Sequence, residues 1–139
     1  QKELSKEYHG GIGRGVRSLK DQRAVGRQKE KKAAMFLSKK GYRILEHSYR
    51  TPCGEIDLIA EHEGRIIFVE VKYRRSLRFG QPAEAVDWGK QRRITRTAYC
   101  YVRERHLEDR PVQFDIVEMT TMDGKDAARH IEHAFYPTL

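Results

Sequence analysis

The run Gly54-Glu55-Ile56-Asp57-Leu58-Ile59-Ala60, followed after Glu61-His62-Glu63-Gly64-Arg65 by Ile66-Ile67-Phe68-Val69-Glu70-Val71-Lys72, decides the fold. Two apolar runs of strand length flank a turn-prone pentapeptide, which reads as a β-hairpin. With Glu63-Gly64 as the two central turn residues, Asp57 is expected directly opposite Glu70, and Glu55 opposite Lys72. Side chains alternate between faces along a strand, so these four polar groups share one face with Ile59 and Phe68. Ile56, Leu58, Ala60, Ile67, Val69 and Val71 are expected on the other face.

Directly opposed side chains have Cβ atoms about 4.5–5.5 Å apart, and like charges at that spacing destabilise a sheet. Asp57 and Glu70 therefore require a compensating cation. Lys72 supplies one charge, and a divalent ion would supply the rest. Hard Mg²⁺ binds through one or two carboxylates, keeps several waters and shares phosphate oxygens with a substrate. The pattern Asp57-x₁₂-Glu70-x-Lys72 is in outline a metal-assisted phosphodiester hydrolysis site. The same residues also describe a solvated hairpin face with a cross-strand ion pair, common in antiparallel sheets, and the spacing alone leaves both readings open.

The rest of the chain supplies a setting for either reading. Its 139 residues are enough for one domain with a single core. Charged residues make up 35%, the net charge is +8 and the pI is near 9.6. That surplus points to a polyanionic partner, nucleic acid ahead of acidic lipid, because no membrane-inserting stretch accompanies it. The alternative is that basic charge serves solubility alone. Cys53 and Cys100 lie far apart in sequence and form no CxxC pair, so no disulfide framework or zinc site is expected. His130-Ile131-Glu132-His133 lacks a further ligand pair and reads as a strand or loop with exposed imidazoles. No secretory signal or membrane span is expected, and the cytoplasm is the default location.

Residues 1–17 read as a flexible, basic, Gly-rich tail, with residues 18–139 forming one domain. A helix is expected from Ser18 to Lys40, with Gly41 as its stop. Ala33, Ala34 and Leu37 fall on its core-facing stripe together with Glu30, which should therefore be paired or liganded unless it sits at the stripe's edge. Gly26, one turn earlier, would let a backbone or substrate approach. Tyr42 to Tyr49 reads as the first strand. Tyr73 to Gly80 carries Arg74, Arg75 and Arg78 among aromatics and no acid, a mixture suited to phosphates and stacked bases, or to a solvated loop. A second helix is expected from Pro82 to His106, interrupted near Gly89, with Val86, Ile94, Ala98, Tyr101 and Val102 inward. Arg92 and Arg96 are one turn apart on another of its faces, where they reach backbone phosphates or simply form a basic outer surface. Val112 to Glu118 is expected as a strand parallel to the third, because a helix joins the two. Asp123-Gly124 marks a turn, and a short edge strand is expected over Ile131 to Tyr136.

Several blocks occur in a fixed order: Gly26-x₃-Glu30-x₂-Ala33, Gly41-Tyr42-Arg43-Ile44-Leu45, Gly54 to Ala60, and Phe68-Val69-Glu70-Val71-Lys72. Gly80-x-Pro82-x-Glu84-Ala85-Val86, Lys90-x₂-Arg93 and Phe114-Asp115-Ile116-Val117 follow. This set closely resembles the bacterial YraN-like family, a group similar to archaeal Holliday junction resolvases within the PD-(D/E)xK nuclease superfamily. The match spans residues 24 to 136.

The resemblance implies an α/β, restriction-endonuclease-like fold of αβββαβ order, with a mixed central sheet flanked by helices. It implies that Asp57 and Glu70 bind metal, that Lys72 is the catalytic lysine and that Glu30 is the first-helix acid. Gln91 falls where some superfamily members place a glutamine. Lys29 departs from the pattern, standing where relatives commonly carry glycine. The implied cofactor is one or two Mg²⁺ or Mn²⁺ ions, held by Asp57, Glu70 and Glu30 with the Val71 carbonyl. The expected partner is nucleic acid, DNA first, reached through Arg74, Arg75, Arg78, Lys90, Arg92, Arg93 and Arg96. A homodimer is expected if two strands are cut symmetrically. The leading reading is a metal-dependent nuclease acting on DNA, including branched DNA. The alternatives are a nucleic-acid-binding protein without useful activity in a repair or processing assembly, and an interaction protein with no nucleic acid partner.

Overall fold

Glu63 and Gly64 both adopt positive φ, 51° and 80°, as a two-residue type I′ turn requires. They close the hairpin between β2 (Gly54–His62) and β3 (Arg65–Arg74). The five pairs from His62↔Arg65 to Leu58↔Val69 follow the expected alignment. The computed structural model describes residues 18–74 and 86–138. The tail over 1–17 lies outside the described residues, as do Arg75, Arg78 and the expected helix start at Pro82.

Helix α1 (Leu19–Lys39) precedes β1 (Arg43–Thr51), and α2 (Trp88–Glu104) joins β3 to β4 (Val112–Met122). A second turn with positive φ at Asp123 and Gly124 leads into β5 (Lys125–Phe135). The sheet order is β1-β2-β3-β4-β5. Strands β3 and β4 run parallel through nine pairs, from Ile66↔Val112 to Arg74↔Thr120, and every other neighbour is antiparallel. This is the α/β, restriction-endonuclease-like arrangement, a mixed sheet flanked by helices. The last strand has 11 residues and is longer than the short edge expected. Its residues Lys125 to Arg129 pair with Met122 to Glu118 of β4, ahead of the Ile131 start that the apolar pattern indicated.

Central strand β3 is covered on both faces, which explains its unbroken apolar run. Ile66 and Phe68 pack with Ile59, Phe114, Ile94 and Tyr101 under α2. Ile67 and Val69 pack with Leu58, Ala60, Val117 and the α1 residues Ala33, Ala34 and Leu37. Helix α1 stops where expected: Gly41 has φ of 95°, a conformation that strains residues with a Cβ. Helix α2 is not interrupted at Gly89, which lies inside its first turn. The start is fixed instead by Asp87, whose Oδ1 accepts the Lys90 N–H at 2.8 Å. No helix among the described residues is long and apolar enough to cross a membrane.

Candidate functional site

The central strands part where the acids lie. The last β2–β3 pair is Leu58↔Val69, so the expected Asp57↔Glu70 and Glu55↔Lys72 pairs do not form. On its other side β2 also loses a pair: the β1 ladder skips from His47↔Leu58 to Tyr49↔Ile56, and Ser48 has φ of 49°. This kink breaks the alternation of faces, so Ile56 joins Ile59 under α2 instead of Leu58 under α1. Strand β3 meanwhile continues along β4, through Glu70↔Ile116 and Lys72↔Glu118. β2 and β3 therefore part beyond the Leu58↔Val69 pair, with Asp57 on one strand and Glu70 on the other.

Backbone groups released by the parting strands are taken up by side chains. Asp57 Oδ2 accepts the Val71 N–H at 2.7 Å, so it is the amide of Val71 that meets the acid. Glu70 is 7% exposed, and its Oε2 lies 2.5 Å from Lys90 Nζ and 3.7 Å from Lys72 Nζ. Burial and then the charge of Glu70 push the Asp57 carboxyl up to about 8, against the pull of the Val71 N–H; Glu30 adds to the rise and Lys90 opposes it. Two carboxylates thus share one poorly solvated point. Burial pulls the Lys90 ammonium down, but its hydrogen bond to Glu70 and the charges of Glu70 and Asp57 leave it raised overall.

Glu30 approaches from α1 without joining that pair. Its Oε1 accepts the Ser48 Oγ–H at 2.5 Å, so the kinked serine holds the helix acid. Among the described residues no three His, Cys, Asp or Glu side chains converge as a metal cluster. The donor set that fits a hard, oxygen-seeking cation is Asp57 with Glu70, two carboxylates whose mutual repulsion an ion would relieve. Among the described residues none from another element comes within 4 Å of where a Gly26 Cβ would stand, so no second backbone packs on it. Lys29 reaches across to Tyr73, its Nζ 4.0 Å from the ring centroid.

The basic residues divide into two groups. Arg74 is paired with Glu118 of β4, and Lys90 with Glu70, so both are engaged with acids of the chain itself. Arg93 and Arg96 are exposed on α2, while the half-buried Arg92 stacks its guanidinium 4.9 Å from the Trp88 ring centroid. Gln91 donates to the Val86 carbonyl at 2.9 Å. Trp88 was not singled out by sequence pattern, yet it is 60% exposed two residues before Lys90.

His130 departs from the expected exposed imidazole. Its side chain is 3% exposed, with Nε2 2.7 Å from Oδ2 of the fully buried Asp115. Asp115 Oδ1 also accepts from Gln113 Nε2 at 2.9 Å and the His133 N–H at 3.1 Å. Lys40 Nζ lies 2.6 Å from His130 Nδ1. The HxxH spacing carried no sign of this, because the partner acid lies on the neighbouring strand. Cys53 and Cys100, distant in sequence, bring their sulfurs to 3.4 Å.

Similarity to other proteins agrees with the sequence blocks. The model of a family described as uncharacterised protein family UPF0102 matches residues 29–119, a span holding Glu30, Asp57, Glu70, Lys72 and Lys90. A UPF0102 protein of Caldanaerobacter subterraneus subsp. tengcongensis is 43% identical over 118 residues, covering 83% of this chain and 97% of the relative. One from Symbiobacterium thermophilum is 46% identical over 115 residues, covering 82% and 98%. One from Clostridioides difficile is 42% identical over 106 residues, covering 76% and 91%.

Proposed function

The chain belongs to the UPF0102 family, and from that premise we propose that it is a metal-dependent nuclease hydrolysing phosphodiester bonds in DNA. The observation that carries this reading is that Asp57 reaches across where β2 and β3 part and accepts the amide next to Glu70. A purely structural sheet gains nothing from two carboxylates that raise each other's cost of ionisation. Asp57 and Glu70 would hold Mg²⁺ or Mn²⁺, one or two ions, with Glu30 drawn in from Ser48. When bound, such an ion supplies positive charge beside a phosphate and acidifies water.

The chain's own residues do the rest. Lys72, 3.7 Å from Glu70, holds a hydrogen-bond donor beside that acid, where it orients the attacking water or steadies charge developing on the phosphate. Lys90 occupies Glu70 until an ion displaces it, and the Val71 amide sets the Asp57 carboxylate before substrate arrives. Exposed Arg93 and Arg96 offer neighbouring backbone phosphates a counter-charge, in keeping with the net +8. Branched, Holliday-junction-like DNA is the favoured substrate, and a homodimer is expected if both strands are cut symmetrically.

The test is a panel of labelled duplex, single-stranded, flap and four-way DNA, with RNA, incubated with Mg²⁺, Mn²⁺ or EDTA. Cleavage should require the metal and disappear in Asp57→Asn. Equal cleavage by the variant would assign the activity to a contaminant.

A second reading, a DNA-binding protein without cleavage, is favoured by the Lys90–Glu70 contact: an internal ammonium already neutralises the buried acid. That reading expects DNA affinity falling steeply with salt, about −0.9 in log–log slope per duplex phosphate neutralised, and an uncut panel.

A further inference from the structure

Cys53 sits in the turn between β1 and β2, and Cys100 near the C-terminal end of α2. Forty-seven positions separate them, yet their sulfurs are 3.4 Å apart and both thiols are free. The contact is held from both sides. The Cys53 N–H donates to Thr51 Oγ1 at 3.0 Å, and that hydroxyl donates to the Gly54 carbonyl at 3.3 Å, which braces the turn. Gly54 lies flush on α2: a Cβ there would stand 2.7 Å from Thr97 Oγ1 and 3.8 Å from the Arg93 carbonyl. The turn is therefore seated against the helix, and the Cys53 sulfur is kept beside Cys100. Cys53 is exposed and Cys100 half-exposed, so a small oxidant reaches both.

We propose that Cys53 and Cys100 form a reversible modification site, converted by a hydroperoxide into an intramolecular disulfide that ties the β1–β2 turn to α2. Cys53 is the more exposed of the two, so it meets the peroxide first as the attacking sulfur, and Cys100 beside it is the resolving one. The Cys53 thiolate attacks the peroxide, the O–O bond breaks, and the leaving oxygen departs as water or alcohol carrying the Cys53 proton. The Cys100 sulfur then displaces the hydroxyl from the resulting sulfenic acid. That hydroxyl leaves as water with the Cys100 proton, and the peroxide has received two electrons from the thiol pair. A dithiol reductant reverses the step by exchange. The closed ring contains Asp57, Glu70, Lys72 and Lys90, so the bridge fixes α2 against the strand that bears Asp57. This site stands independently of the nuclease reading.

The test uses the full reduced chain, treated with hydrogen peroxide and then alkylated without reductant. Both thiols should disappear together, the mass should fall by two hydrogens, and the tryptic peptides Thr51–Arg65 and Thr97–Arg103 should be recovered linked. Dithiothreitol should restore both thiols. In Cys53→Ser and Cys100→Ser the remaining sulfur should instead gain oxygen. Independent over-oxidation of the two wild-type cysteines, or linkage only between separate chains on a non-reducing gel, would overturn the proposal. No outcome depends on cleavage of DNA.

Discussion

Lys90, in the first turn of α2, places its ammonium 2.5 Å from the Glu70 carboxylate on β3. The acid is buried and the lysine half-buried, so this charge-assisted bond from α2 to β3 is little screened. The ammonium places a positive charge where the proposed divalent ion would place one.

Removal of the ammonium should therefore favour metal. Lys90→Met is expected to bind Mn²⁺ more tightly than wild type, on the order of ten-fold, the equivalent of about 1.4 kcal/mol of competition removed. Isothermal calorimetry measures this directly, with Glu70→Gln as the variant that should weaken binding. Unchanged affinity in Lys90→Met would show that the ammonium and the ion do not compete.

Lys72 makes the complementary case. Its Nζ is 3.7 Å from Glu70, too long for a hydrogen bond, which leaves its donors for water or phosphate. Lys72→Ala should lower the cleavage rate about 10²–10³-fold, as loss of one charge-stabilising donor does, and leave Mn²⁺ binding intact. A rate equal to wild type would remove the lysine from the chemistry.

Stability should depend on pH through Asp57. Its carboxyl titrates near 3.8 when unperturbed and near 8 in the folded chain. Between those values the folded state keeps a proton that the unfolded state has lost, so stability falls as pH rises through the window and levels off above it. Measured without metal, the wild-type Tm should decline from about pH 5 to about pH 8 relative to Asp57→Asn, whose amide does not titrate there. Added Mn²⁺ should restore wild type at the upper end. Parallel profiles for the two proteins would contradict the shift.

The Asp115–His130 contact holds β5 to β4 from inside the sheet. His130→Ala should cost about 1–3 kcal/mol, the usual penalty for leaving a buried polar partner short of a bond. Urea titration would register it as a lower midpoint at unchanged m. A midpoint equal to wild type would mean that Gln113 and the His133 amide suffice for Asp115.

Gly54 has φ of 151° and no room for a side chain against Thr97. Gly54→Ala should destabilise by about 1–3 kcal/mol, the range for overpacking. Combining it with Thr97→Ala should recover part of that loss. Failure to recover would place the strain in the backbone.

What the sequence by itself determined is what local rules govern. Glu63-Gly64 set a two-residue turn, and alternation on either side then gave the register through Leu58↔Val69. Gly41 set the end of α1, and a helix between two apolar runs required a parallel pair. The blocks around Glu30, Asp57, Glu70 and Lys72 were legible for the same reason, since each lies within one element. Tertiary structure alone decided where the strands separate, which replaced an expected Asp57↔Glu70 pair with a bond from the Val71 amide to Asp57 and moved Ile56 to the other face. It also joined Lys90 to Glu70 across 20 positions, Cys53 to Cys100 across 47 and Lys40 to His130 across 90. Backbone periodicity and turn geometry act over a few residues. Contacts between elements depend on how twisted strands and helices stack, and no local pattern encodes that.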